Sequence, residues 1–349
     1  MENDLIYLKK FFSPFTSRVY LVGGCVRDEI LGIKSKEFDI EVYDIKPEKF
    51  DELMQKLGAK GVGKSFFVYK WKNFDISLPR TETKTSKGHR GFEVSLTQDE
   101  KTASKRRDFT MNALMKNIYT GEILDFWGGI NDIKKQTIRH IDDNTFIEDS
   151  LRVLRAMQFA SRLKFKVDKS TVKLCRKIDL SDLSKERIFM EFEKMFKSGY
   201  LYYGFYYFIT LDIANKLLNL NFTKNEFFHL AKIYKYNPIE SYFLYHLRYY
   251  KNVNPKKLIK VLNLPNFLKR EINIKKLPKT VTNRFFYALA LKYPLKTFSI
   301  LNKECCKEWL IKENIYEKKY KPKKINPENP RKSILQEIRN YDKIIIKKG

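Results

Sequence analysis

Between residues 18 and 115 short apolar runs of β type alternate with turns: Val19-Tyr20-Leu21-Val22, Phe38-Asp39-Ile40-Glu41-Val42, Phe66-Phe67-Val68-Tyr69 and Phe74-Asp75-Ile76-Ser77-Leu78. The pattern predicts a mixed sheet with a few helices. The runs Phe66 to Trp71 and Phe74 to Leu78 flank Lys72-Asn73, a spacing that suits a tight hairpin whose side chains share one sheet surface. A second hairpin is expected around Tyr119-Thr120-Gly121. After about residue 145 the apolar spacing becomes helical, and Gly and Pro are scarce up to Pro238. Phe146 to Phe165 is the most clearly periodic stretch. Ile147, Leu151, Leu154 and Ala160 mark its apolar face, and Glu148, Asp149, Arg152 and Arg155 fall away from it. These elements predict an α+β fold: a head with a mixed β-sheet and helices, then an all-α remainder. Pro322, Pro327 and Pro330, set among lysines, predict a linker before a last short helix, and no internal repeat is visible.

Composition adds a partner class to this outline. With 349 residues and 43% apolar content the chain can bury a core of two or more domains. Its net charge of +28 exceeds what solubility requires and favours an extended polyanion over a small neutral molecule. Residues 251–349 hold 26 Lys and Arg against 8 Asp and Glu, so +18 of the charge sits there. Lysine-rich genome composition accounts for part of this excess, and a phosphate-tracking surface for the rest. Cys25, Cys175, Cys305 and Cys306 form neither a Cys-x-x-Cys nor a Cys/His cluster, which argues against structural zinc and a disulfide framework. The start lacks a basic, then apolar leader, and no apolar run is long enough to span a bilayer, so a cytoplasmic protein is expected.

The strongest local signal is Leu21-Val22-Gly23-Gly24-Cys25-Val26-Arg27-Asp28, an apolar strand entering two glycines and a helix that bears an arginine. Glycine lets a phosphate approach the backbone, and N–H groups at a helix start face it, so Gly23, Gly24 and Arg27 form a candidate triphosphate cradle. A Gly-Gly turn taken alone is as readily structural. The acids downstream raise its weight: in Glu37-Phe38-Asp39 the alternate residues of a strand point to one side, and two carboxylates there can hold divalent cations. Two-metal nucleotidyl transfer needs that arrangement, with a third acid on a neighbouring strand, for which Asp75 is well placed. The competing reading is that Glu37, Asp39 and Glu41 form the solvated face of an edge strand.

Gly-Gly-x-Val-Arg-Asp with two spaced acids about ten residues later resembles the head of the class II CCA-adding enzymes and bacterial poly(A) polymerases. Further motifs resemble that family in order. Arg106-Arg107-Asp108-Phe109-Thr110 is similar to its Arg-Arg-Asp-Phe-Thr element, with Asn112 just beyond. The resemblance implies that Arg107 touches phosphate while Asp108 and Asn112 contact the ribose. Asp125 to Ile133 resembles its Gly-Gly-x-x-Asp-Leu turn, Glu148 to Ala156 its nucleotide-selecting helix, and Ser184 to Glu191 the element that closes the neck. Lys84 to Gly91 matches the mobile loop that assists the change from C to A. The likeness covers roughly residues 19 to 196. Two departures stand out: Glu37 where the family usually has Asp, and Gln158 where its helix often carries another Arg.

Base chemistry explains how such a helix selects. Cytosine and adenine both present an amino donor beside a ring-nitrogen acceptor, whereas uracil and guanine present a carbonyl beside a ring N–H. Asp149 only accepts and Arg152 only donates, so a pair three residues apart on one helix face satisfies C and A and opposes U and G. Arg155 belongs to the same polar face.

The expectations are then specific. Residues 1–116 are a nucleotidyltransferase head, 117–196 a neck with the selecting helix, and 197–349 a basic helical body and tail that grip tRNA. Glu37, Asp39 and Asp75 are the catalytic acids, with Mg²⁺ on Glu37 and Asp39; CTP, ATP and the acceptor arm of tRNA are the substrates. Poly(A) polymerase and partial CC- or A-adding activity remain open, as does a non-catalytic RNA-binding protein. His89, His140, His229 and His246 lack metal-ligand spacing, so no additional phosphohydrolase module and no protein partner are expected. The aromatic run Tyr202 to Phe208 is expected to pack between helices.

Overall fold

The computed structural model describes residues 2–63, 67–84, 92–223, 225–227, 240–249, 251–272, 326–329, 332–333 and 336. They belong to two compact units that divide between Asn221 and Phe222.

In the first unit the strands in chain order are β1 (Val19–Val22), β2 (Phe38–Val42), β3 (Lys60–Gly63), β4 (Val68–Trp71), β5 (Phe74–Ser77), β6 (Arg80–Lys84), β7 (Phe92–Leu96), β8 (Met115–Asn117) and β9 (Ile123–Leu124). Seven of them form one sheet of order β3-β4-β5-β2-β1-β8-β9, and β6 and β7 form a separate antiparallel ribbon. The main sheet is mixed as expected: β2 runs parallel to β5, and the other pairs are antiparallel. The register matches Ile40 with Ile76 and Phe38 with Phe74, so the even positions of β2 share one face with Phe74 and Ile76. Ile40, Val42, Phe74 and Ile76 are buried there, each contributing about 1.5–3 kcal/mol relative to exposure. Helix α3 (Pro47–Leu57) covers this face, with Phe50 edge-on to Tyr69 at 5.8 Å; Pro47 starts the helix and Gly58, at φ 71, ends it. The opposite face carries the acids beside a smaller core of Tyr20, Val22, Met115 and Ala103.

Both hairpins form. Trp71 pairs with Phe74 across Lys72, which takes φ 50. Strand β4 starts at Val68 rather than Phe66 because Phe67 turns at φ 50; Phe66 lies outside the described residues. The second turn closes on the Asn117 side chain, which accepts from the N–H groups of Tyr119 and Thr120, with Gly121 at φ 77.

The periodic stretch 146–165 is not one helix. It divides into the end of α6 (Asp143–Ile147) and α7 (Leu151–Leu163), because short polar side chains compete for the backbone between them. Asp142 caps α6, Asp149 accepts from the Leu151 N–H at 3.2 Å, and Ser150 donates to Asp182 at 2.5 Å. Nor is the remainder all helical: β10 (Thr137–Ile138) pairs parallel with β11 (Lys166–Val167). Helix α7 packs against α9 (Lys185–Phe196) and α10 (Leu201–Thr210). A Cβ at Gly204 would stand 2.6 Å from Met195 Cγ, so only glycine lets α10 approach this closely. The aromatic run lies on α10, where Phe205, Tyr207 and Phe208 are buried as expected and Tyr206 is exposed.

In the second unit α12 (Glu240–Tyr249), α13 (Pro255–Val261) and α14 (Asn266–Ile272) bury Phe243, Leu247, Leu258, Leu262 and Leu268. The expected linker and last helix fall largely outside the described residues, as do Cys305 and Cys306. No helix among the described residues is long and apolar enough to cross a membrane.

Candidate active site

Strand β1 delivers the chain into Gly23 at φ 74 and ψ −125, a conformation that only glycine adopts without strain, and α2 (Gly24–Ile30) begins at the next residue. A Cβ at Gly23 would stand 2.5 Å from Arg107 Nη1. The guanidinium of Arg107 therefore lies across the glycine turn. The Gly23 N–H itself donates to the Leu114 carbonyl at 2.9 Å, so it holds β1 to the segment before β8 instead of facing a ligand as expected.

The parallel register of β2 and β5 sets Asp39 directly beside Asp75, on the face opposite the apolar core. Crowding by surrounding protein raises the Asp39 pKa; Arg107 and Arg106 pull it down, Asp75 and Glu41 push it up, and the net shift is upward. Across β5, Lys70 Nζ lies 3.1 Å from Asp75 and 3.9 Å from Glu37. Glu37 precedes β2, which begins at Phe38, so strand alternation does not aim it; its side chain is 80% exposed. Of the expected acids, Asp39 and Asp75 thus stand side by side, while Glu37 lies before the strand on the far side of Lys70. Carboxylate oxygens are the hard donors that Mg²⁺ prefers, and these two fit such an ion. Among the described residues, however, no group of three or more His, Cys, Asp or Glu side chains is disposed to hold a metal.

Behind the acids lies a buried charge network. Glu41 accepts from Arg106 and Arg107, and burial, which would raise its pKa, is outweighed by these two cations so that the carboxyl sits below its ordinary range. Asp108 accepts from its neighbour's Phe109 N–H, from Asn112 Nδ2 at 2.9 Å and from Arg155 Nε at 2.6 Å. Arg27, only 2% exposed, donates to Asp28 and to the Asn112 amide oxygen, with its Cζ 5.1 Å above the Phe159 ring. Arg27 was expected in the phosphate cradle. Its charge is instead committed to Asp28, so in this conformation it orients Asn112. Asp28 in turn accepts from Arg162 of α7 at 2.8 Å, tying α2 to α7.

At the start of α7 the expected Asp149–Arg152 partnership takes another form. Asp149 sits in the turn before the helix and pairs with Arg187 of α9 at 3.3 Å. Arg152 donates to the carbonyls of Thr145 at 2.6 Å and Arg106 at 2.5 Å. Arg152 thereby joins the segment around Arg106 to α7. The Lys84 to Gly91 loop lies outside the described residues beyond Lys84.

Sequence reasoning passed over Glu41, Lys70 and Arg162. Glu41 had one usable signal, its alternation with Asp39 on β2. Lys70 had one too, because a hairpin turning at Lys72-Asn73 sets it opposite Asp75; Arg162 had none, since only helix packing brings it to Asp28.

Residues 19–139 match the family described as "Poly A polymerase head domain", and residues 164–220 that described as "Probable RNA and SrmB- binding site of polymerase A". The "Multifunctional CCA protein" of Psychromonas ingrahamii is 39% identical over 197 residues, covering 52% of this chain and 46% of that protein. That of Nitrosospira multiformis is 40% identical over 184 residues, covering 50% and 43%. The chain thus spans less than half the length of these relatives. Among solved structures, the Bacillus stearothermophilus CCA-adding enzyme in complex with CTP is similar with a TM-score of 0.67 at 22% identity, covering 97% of this chain and 81% of that one. The Thermotoga maritima CCA-adding enzyme complexed with tRNA_CCA is similar with a TM-score of 0.64 at 22% identity, covering 96% and 90%.

Proposed function

We propose, for a chain that belongs to the family of CCA-adding enzymes and poly(A) polymerases, that it adds C, C and A to the 3′ end of tRNA from CTP and ATP with release of pyrophosphate. One observation carries this reading: Asp39 and Asp75 stand side by side on parallel strands, against a glycine turn crossed by Arg107. Carboxylates beside a glycine turn with a fixed cation suit transfer of a nucleotidyl group to a hydroxyl.

In the reaction the RNA 3′-hydroxyl attacks the α-phosphorus of the incoming nucleotide. Asp39 and Asp75 would hold the divalent ion, taken to be Mg²⁺, and Glu37, 3.9 Å from Lys70, is the further carboxylate of the expected set. When bound, the ion supplies positive charge that lowers the pKa of the attacking hydroxyl and neutralises the departing pyrophosphate. Arg107, over Gly23, binds the triphosphate; Arg27, whose Nη2 lies beside Gly24, acts through Asn112, which with Asp108 borders the ribose. Asp149 and Arg152 read the base edge, Asp149 accepting from the amino group of C or A and Arg152 donating to the ring nitrogen. Two of the five N–H donors of Arg152 are used on carbonyls, which leaves others to meet a base edge. Arg155 holds Asp108 in place.

By this reading residues 1–116 are the catalytic head, 117–196 the neck and 197–349 the body and tail that grip the acceptor arm. Recognition of tRNA by shape and phosphate suits an enzyme that must serve every tRNA. The test is Mg²⁺-dependent release of pyrophosphate from CTP in the presence of a tRNA transcript lacking its terminal CCA. Release by the native chain and none by Asp39→Ala supports the proposal; equal release by both rejects it.

A further inference from the structure

From the buried contacts of β2 we infer that Glu41 is a positioning residue for nucleotide binding, which sets Arg107 over the glycine turn and Arg106 against the base-selecting helix. The inference rests on the nucleotidyl-transfer reading and deepens it.

Glu41 is 1% exposed, and one of its oxygens does the holding. Oε1 accepts from Arg106 Nη2 at 3.0 Å and from Arg107 Nη2 at 2.9 Å, while Oε2 accepts from the Tyr43 hydroxyl at 3.1 Å. Consecutive side chains ordinarily diverge; here both guanidinia converge on one carboxylate two residues along the strand from Asp39. The positions of the arginines have two consequences. Arg107 Nη1 occupies the space that a Cβ on Gly23 would enter, so its place over the turn is fixed from below by Glu41 and from above by the absence of a side chain. Arg106 presents its carbonyl to Arg152 Nη2 at 2.5 Å, so the carboxylate that anchors Arg106 also sets the docking point of Arg152.

Asp39 and Asp108 also lie within electrostatic reach of Arg107, so bulk neutralisation does not depend on Glu41 alone; what Glu41 supplies is direct contact to both guanidinia.

The experiment measures equilibrium binding of labelled CTP and ATP, together with steady-state transfer to a tRNA transcript, for the native chain, Glu41→Gln, Glu41→Asp and Tyr43→Phe. Glu41→Gln keeps the shape and an accepting oxygen but loses the charge. Glu41→Asp keeps the charge at a shorter reach. Tyr43→Phe removes the contact to Oε2 and leaves both arginine contacts intact. The expected result for Glu41→Gln is CTP binding weakened about tenfold, the size of one charge-assisted contact, with a matching rise in the CTP KM and a tRNA KM within about twofold of native. Glu41→Asp falls between, and Tyr43→Phe binds CTP as the native chain does. Nucleotide binding unchanged in folded Glu41→Gln overturns the inference; if that variant does not fold, native-like binding by Glu41→Asp overturns it equally. A tRNA KM that rises in step with that for CTP marks a general structural role and also overturns it. Should the native chain bind CTP but transfer nothing, the transfer reading fails while the binding comparison still decides the role of Glu41. If it binds neither nucleotide, both fall.

Discussion

Replacing Gly23 by alanine tests the geometry on which the site is built, because two separate penalties meet at that residue. The backbone at φ 74 and ψ −125 lies where residues with a Cβ are strained, which costs roughly 1–3 kcal/mol. The new Cβ would also lie 2.5 Å from Arg107 Nη1. That guanidinium must move, and leaving Glu41 gives up a charge-assisted contact of about 1.5–3 kcal/mol. The sum of about 3–6 kcal/mol is a large part of a typical folding stability of about 5–15 kcal/mol, so the variant folds but marginally. Gly58→Ala is the matched control: φ 71 and ψ 25 place it in the ordinary left-handed region with nothing within 4 Å of a new Cβ, a cost of about 1–2 kcal/mol. Urea unfolding of the two variants and of the native chain, with CTP binding measured below the transition, separates the terms. Gly23→Ala should lose roughly 2–4 kcal/mol more than Gly58→Ala, and it alone should lose CTP binding. If the two variants match in stability and both bind CTP normally, Arg107 does not depend on the glycine turn and the reasoning is wrong.

The same structure sets three further outcomes. Lys70→Met removes the ammonium from between Asp75 and Glu37, and a half-exposed pair of this kind is worth about 1 kcal/mol at most. Mn²⁺ binding monitored by electron paramagnetic resonance should therefore tighten about three- to fivefold without nucleotide, and weaker binding would contradict the placement. Burial would raise the Asp108 carboxyl, but Arg155 and Asn112 more than offset it and the net pKa falls below the ordinary value of 3.8. Its stabilising contribution is then complete above that value and is lost as the pH falls through the lower folded one. The Tm of the native chain should drop more steeply than that of Asp108→Asn between about pH 5 and pH 3, and parallel curves would refute the assignment. Arg187→Ala frees Asp149 from its 3.3 Å partner and should reduce discrimination of C and A against U by roughly 5- to 30-fold in single-nucleotide incorporation. Unchanged discrimination would show that Arg187 does not aim Asp149.

The strands of the head were legible because alternation on β2 and β5 is strong and Lys72-Asn73 leaves little choice of turn. Asp75 could be placed beside Asp39 on that basis alone, since a third acid on a neighbouring strand was required and the β5 pattern aims it correctly. Glu37 could not, because the strand begins one residue later and alternation has no hold on it. The helix over 146–165 was read as continuous because its apolar period survives the break; at the break Asp149 accepts from the Leu151 N–H and Ser150 is tied to Asp182, which a hydrophobic pattern does not register. The partners of the charged residues were the least legible part. Arg27, Arg107 and Arg152 each had an expected ligand role; their guanidinia also bond the adjacent Asp28, the distant Glu41, which had been read as solvated surface, and the carbonyls of Thr145 and Arg106.

The central claim is that a tRNA end is extended by C, C and A and then left alone. Incubating the chain with Mg²⁺ and single or mixed labelled nucleotides, on tRNA transcripts ending at the discriminator base, at C and at CC beside an unstructured RNA, tests it most directly. The account predicts that each tRNA is completed to CCA and stops, with the unstructured RNA unchanged; unlimited addition of A to either kind of RNA would contradict it and point to a poly(A) polymerase.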